Sequence, residues 1–172
     1  MPALKATAGL WNHLFLPEKP NETGFHSKAK WDKIKDKPNI HRTLIPNPAG
    51  LGCYMIGWRF GGLTQQENDS GIVTALKWST MFPDTWDESK VKQAVNDAIT
   101  YWNNAVGENK ARLESLIDKY HLKWIGNAKV GGKTLVIGGL GGGDEARTAY
   151  PLHGANMNFP QIQGVALYRG GG

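Results

Sequence analysis

The sequence predicts an α+β domain in which two central helices are flanked by strands on both sides. Three observations carry this. Val91, Ala94, Val95, Ala98 and Trp102 recur at helical spacing, and Leu113, Leu116, Ile117 and Tyr120 repeat the pattern a little further on. Before them, "GLGCYMIGWRF" and "SGIVTALKWSTMF" are rich in β-branched and aromatic residues and are bounded by glycines or turn residues. After them, "LKWIGNAKVGGKTLVIGGL" divides into two strands across a Gly-Gly turn, and "ARTAYPL" reads as another strand.

Taken in order, residues 1–50 have little periodicity and much Pro, Lys and polar character, so they read as loops around short elements. The two apolar runs that follow are separated by the polar "GGLTQQEND" and read as a strand pair. Thr85 and Glu88 fit the T-x-x-E capping box, which predicts that the first helix starts there. The second helix is expected from about residue 108 to 120. His121 follows it, where a cationic ring would suit the helix dipole, and is read as structural. No internal repeat or clean linker divides the chain, and its 172 residues suit one core better than two, so residues 1–172 are expected to form one domain.

Composition narrows the function. A formal charge of +5 favours anionic partners. The single cysteine, Cys53, excludes an internal disulfide and reads as a small buried hydrophobe within "GCYMIGW". No run reaches the roughly 18 apolar residues of a membrane-spanning helix, and the first residues lack a signal-like apolar stretch. The glycine-rich "GGLGGGD" lacks the spacing of a phosphate-binding loop, and no helical pattern follows it directly; it reads as a hairpin connection. The five histidines form no metal signature: there is no H-E-x-x-H and no cysteine pair.

What remains suits acid-base work without a metal. Two histidines can serve as base and acid, because an unperturbed pKa near 6.5 lets a neutral and a protonated ring coexist near neutral pH. A lysine beside them can stabilise an anionic phosphorus centre. His13, His26 and Lys77 supply such a set, and Thr148 and Tyr150 follow the glycine-rich stretch on alternate positions.

The order of these residues resembles a known family. "NHLF" at 12–15, "TGFHS" at 23–27, "LKWSTMFPDTW" at 76–86 and "TAYPL" at 148–152 are together similar to the EndoU family of endoribonucleases, in its bacterial form, along nearly the whole chain. The resemblance implies an EndoU-like ribonuclease domain with antiparallel sheets. It also implies a catalytic set of two histidines and a lysine, carried over here as His26, His13 and Lys77, with His41 as the alternative to His13. Ser79 or Thr80 matches the family's base-contacting hydroxyl, Thr148 the residue that holds the base edge, and Tyr150 the one that packs on ribose or base.

The activity so implied is cleavage of single-stranded RNA, 3′ of a uridylate, by transesterification to a 2′,3′-cyclic phosphate. No cofactor is required, although manganese stimulates parts of the family. Many bacterial members are toxin domains delivered into a target cell, which adds a cognate immunity protein to the expected partners. The rival reading is a basic, non-catalytic RNA-binding module that uses Trp11, Trp31, Trp58 and Tyr150 as stacking surfaces. A third is an interaction domain without a nucleic-acid partner.

Overall fold

The computed structural model describes residues 3–16, 26–33, 39–43, 51–59, 64–73, 77–152 and 165–166. In chain order the elements are β1 (Lys5–Ala6), α1 (Ala8–Phe15), α2 (Lys28–Lys33), β2 (Asn39–Thr43), β3 (Tyr54–Arg59), α3 (Gln65–Ser70), β4 (Ile72–Val73) and β5 (Lys77–Met81). Then follow α4 (Glu88–Asn104), α5 (Gly107–Tyr120), β6 (Trp124–Val130), β7 (Lys133–Gly139), β8 (Gly141–Gly142), β9 (Glu145–Ala146), β10 (Tyr150–Pro151) and β11 (Val165–Ala166). The fold is mixed α+β, with helices α4 and α5 between two sets of strands.

The strands form small sheets. β2, β3 and β5 make one antiparallel sheet, β6, β7 and β10 a second, and β4 pairs with β11. The expected antiparallel sheets are present, and beside them one pair is parallel: β1 runs parallel to β9, which in turn pairs antiparallel with β8. A parallel pair forms here because the start of the chain lies beside a hairpin distant in sequence, joined by Lys5 N–H donating to the Asp144 carbonyl.

Helix α4 packs on the β6–β7 hairpin. Strand alternation sends Trp124 and Ala128 of β6 toward α4, into a core with Val91, Ala94, Val95 and Ala98, while Ile125 points the other way to meet Leu113 of α5, Leu122 and Leu152. Gly126 is where strand and helix touch, since a Cβ there would stand 1.8 Å from the Ala98 carbonyl oxygen. The turn between β6 and β7 uses Gly131 and Gly132, both at positive φ, as the Gly-Gly signal predicts.

The start of α4 differs from expectation. Its N-cap is Asp87, whose carboxylate accepts from Lys90 N–H at 2.8 Å, so Thr85 and Glu88 do not form the capping box. Trp86 N–H bonds to the Pro83 carbonyl, which continues a turn through Thr85 and delays the helix by two residues. The capping box instead forms at Thr64 and Glu67, inside the stretch expected to be a polar connection, and starts the short helix α3. α5 begins within a residue of its expected start, and His121 ends it in the left-handed conformation, at φ 57° and ψ 41°.

Candidate active site

β5 lies beside β3, and β10 lies against β5. Residues 26 and 27 run along the far end of β5, because Phe82 N–H donates to the His26 carbonyl at 2.8 Å. Two residues back along the chain, within the strand, the His26 ring bonds through Nδ1 to the Thr80 carbonyl at 2.7 Å. A carbonyl has no proton to give, so Nδ1 carries the hydrogen and the lone pair of the neutral ring sits on Nε2.

Surroundings keep that ring neutral. Burial pushes the His26 pKa down to about 4, and positive charge on His13 and Lys30 pushes in the same direction against the Thr80 hydrogen bond. His13, half-buried near the end of α1, is thus close enough for a charge on one ring to disfavour a charge on the other. The His41 side chain lies outside the described residues; its backbone stands on β2, opposite Gly57 of β3.

The opposite wall comes from β10. The Tyr150 ring stacks on His26, with centroids 5.0 Å and planes 27° apart, and burial pushes the Tyr150 phenol up. Tyr150 reaches this place because its backbone pairs with Gly138 of β7. Just before it, the Thr148 carbonyl accepts from the Trp124 indole at 3.2 Å and sits where a Cβ on Gly139 would be, 1.9 Å away. The Thr148 hydroxyl accepts from Leu140 N–H at 2.7 Å. The glycine-rich stretch therefore does more than connect strands: its bare backbone is the surface on which Thr148 is seated, and Arg147 N–H closes the seat on the Leu140 carbonyl.

The other expected residues fall as follows. Lys77 is the first residue of β5, opposite Trp58 and two positions before Ser79; its side chain lies outside the described residues. Ser79 and Thr80 are both buried, and the Thr80 hydroxyl has no hydrogen-bond partner among the described residues. Thr80 reaches the site through its carbonyl. Lys30 is a site neighbour that sequence reasoning missed. It is fully buried, and its Nζ donates to the His13 carbonyl at 2.9 Å. A lysine in a short amphipathic stretch carries no sign in sequence that it will be buried.

Among the described residues, no group of three or more His, Cys, Asp and Glu is placed to hold a metal, and no helix is long and apolar enough to cross a membrane. One neutral histidine whose lone pair sits on Nε2, a second histidine beside it and an aromatic wall can together move protons at a polar substrate. The chain matches the family model described as bacterial EndoU nuclease over residues 10–153, a span that contains His13, His26, Lys77, Ser79, Thr80, Thr148 and Tyr150. Comparison with curated proteins and with solved structures returns no match.

Proposed function

The chain belongs to the bacterial EndoU nuclease family, and from that premise we propose that it is an endoribonuclease cutting single-stranded RNA 3′ of a uridylate by internal transesterification. The observation that best supports the chemistry is the state of His26: neutral, with Nδ1 donating to the Thr80 carbonyl and the lone pair on Nε2. Such a ring is a base at neutral pH and a poor acid. His26 is accordingly the base and His13 the acid.

In this reaction His26 Nε2 takes the proton of the ribose 2′-hydroxyl, and O2′ attacks the neighbouring phosphorus. The bond from phosphorus to O5′ breaks, and His13 gives its proton to O5′. The products are a 2′,3′-cyclic phosphate and a 5′-hydroxyl, with the two histidines left in exchanged protonation states that solvent resets. Lys77 offsets the charge that grows on the phosphoryl oxygens. The attacking oxygen belongs to the substrate, so the scheme asks for no activated water.

Recognition is assigned to β10 and the residues before it. The Thr148 oxygen already accepts from Leu140 N–H, so its own hydrogen is left to donate to an acceptor on the base edge, and Tyr150 offers its ring to ribose or base. The base contact given to Ser79 or Thr80 needs an open hydroxyl, and both are covered as they stand; that contact would require substrate to displace what covers them.

The test is incubation with single-stranded RNA in EDTA. Discrete fragments with cyclic-phosphate ends support the proposal, and stable binding without cleavage supports the RNA-binding module instead. A toxin role and an immunity partner rest on the family alone. They are tested by inducing the wild-type chain and His26→Ala in bacteria: growth arrest by the first and not the second is the expected result.

A further inference from the structure

Burying an ammonium is costly unless its hydrogens find acceptors, so a lysine with no exposed surface beside two histidines needs an explanation. Lys30 bonds to the His13 carbonyl, one of the last four of α1, which have no partner inside the helix. The other three are also satisfied. Asn12 O accepts from Leu16 N–H at 2.9 Å, Leu14 O from the Ser27 hydroxyl at 2.8 Å, and Phe15 O from Lys33 Nζ at 3.1 Å.

Three of the four carbonyls are thus held by Ser27, Lys30 and Lys33, spaced three apart and so on one face of α2. Ser27 also accepts from Lys30 N–H, which orders the first turn of α2. Two ammonium groups at the negative end of α1 add a favourable charge-dipole term. The clamp has a histidine at each side: His13 lies in the turn being held, and His26 immediately precedes Ser27.

We propose that Lys30 is a positioning residue for the histidine pair: its buried ammonium, seated on the His13 carbonyl, fixes the end of α1 that carries His13 against the segment that carries His26. Among the described residues, the groups facing His26 are His13 from α1, Lys30 from α2, Tyr150 from β10 and the Thr80 carbonyl from β5. Lys30 therefore acts on the pair twice, by holding its geometry and by adding positive charge that keeps His26 unprotonated. The effect on cleavage rests on the nuclease proposal; the effect on the His26 ring does not, and can be read without substrate.

Lys30→Met keeps the apolar stem and removes the ammonium. Lys33→Met removes a more exposed rung of the same clamp and is the comparator. Three quantities are measured on each: thermal unfolding, the His26 titration by NMR, and kcat and KM on a short single-stranded RNA. Lys30→Met should unfold at lower temperature, titrate His26 at higher pH by roughly half a unit or more, and lose kcat by about tenfold or more with KM changed far less.

Lys33→Met should also unfold earlier but leave the His26 midpoint in place, which a purely structural role for Lys30 would do too. A folded Lys30→Met protein with an unmoved His26 midpoint overturns the proposal, as does one with a moved midpoint and wild-type kcat. Lys30→Gln keeps a donor for the His13 carbonyl without the charge and covers the case in which the methionine variant does not fold. It should show the same upward move with a smaller loss of kcat, and wild-type values for both would equally overturn the proposal. If the wild-type chain cleaves no RNA, the function proposed above fails, while the titration still decides whether Lys30 acts on the pair.

Discussion

The ring of His26 lies against the ring of Tyr150, and this single contact joins a segment near the start of the chain to a strand near its end. Tyr150 shields one face of the imidazole from water, which is part of why burial holds the His26 pKa low. Removing the phenyl ring should undo this. In Tyr150→Ala, His26 is expected to titrate closer to its ordinary 6.5, and the acid limb of the cleavage profile should move up with it. The same change should weaken substrate interaction by about 1–3 kcal/mol if a base or sugar stacks there. Tyr150→Phe keeps the ring and should resemble wild type in both respects. The comparison is an NMR titration of His26 beside a pH-rate profile, and equal behaviour of Phe and Ala variants would show that the ring contact does neither.

A histidine whose pKa is about 4 when folded and near 6.5 when unfolded makes stability depend on pH. Between those values the unfolded chain binds the proton and the folded chain does not, so protons pull toward unfolding. Stability is full above about pH 6.5 and falls as the pH drops toward 4, by roughly 3 kcal/mol from this one group. His26→Ala should flatten that slope, and it should lower cleavage by about a hundredfold or more at neutral pH, the usual scale for losing general base catalysis. Denaturant unfolding at pH 7.5 and 4.5 for both proteins checks the slope; an identical pH dependence would remove His26 as its source.

Sequence periodicity revealed α4, α5 and the β6–β7 hairpin because their faces are buried against one another, and burial leaves its mark at spacing 3.6 or 2, whereas the short helices α1, α2 and α3 were not read from it. The resemblance supplied His26 and Tyr150 as candidates for one site but could not say that they touch. Their contact depends on β10 pairing with β7 while residue 26 pairs with the end of β5, two long-range events with no local signature. The capping box shows the same limit. Thr85 and Glu88 have the right types at the right spacing, and a turn through Pro83 and Trp86 gives the role to Asp87. Lys30 was illegible for a related reason: its side chain is buried by the carbonyl end of another helix. The fate of Thr148 could not be read either, because its acceptor role toward Leu140 exists only once the glycine stretch has folded back.

Gly139 is expected to be intolerant of a side chain. A Cβ there would stand 1.9 Å from the Thr148 carbonyl oxygen and 3.0 Å from the Trp124 indole nitrogen, both parts of the seat under β10. Gly139→Ala must push Thr148 off that seat, and overpacking of this kind typically costs about 1–3 kcal/mol. Gly9→Ala is the control, since its nearest neighbour would be 3.6 Å away and α1 gains a better helix former. Thermal unfolding should therefore fall in the first variant and hold or rise in the second, with the His26–Tyr150 ring contact weakened only in the first.

The Thr148 hydroxyl is assigned two duties at once, and they can be separated. As acceptor it holds Leu140 N–H at 2.7 Å; as donor it is proposed to meet the base edge of the uridylate. Thr148→Val keeps the shape and removes both. Leu140 is exposed, so water can replace the lost acceptor and the stability cost should stay near or below about 1 kcal/mol. The loss of a donor that reads the base has a different signature: cleavage after uridylate should fall while cleavage after other nucleotides changes little, because a base edge left unpaired is what hydrogen-bond discrimination penalises. Thr148→Ser keeps the hydroxyl and should preserve both the bond to Leu140 and the order of preference. The measurement is cleavage of matched RNAs that differ only at the scissile nucleotide, with melting temperature recorded for each variant. A Thr148→Val protein that is destabilised but ranks the four nucleotides as wild type does would reduce Thr148 to a support for the glycine hairpin and move uridylate recognition elsewhere in the site.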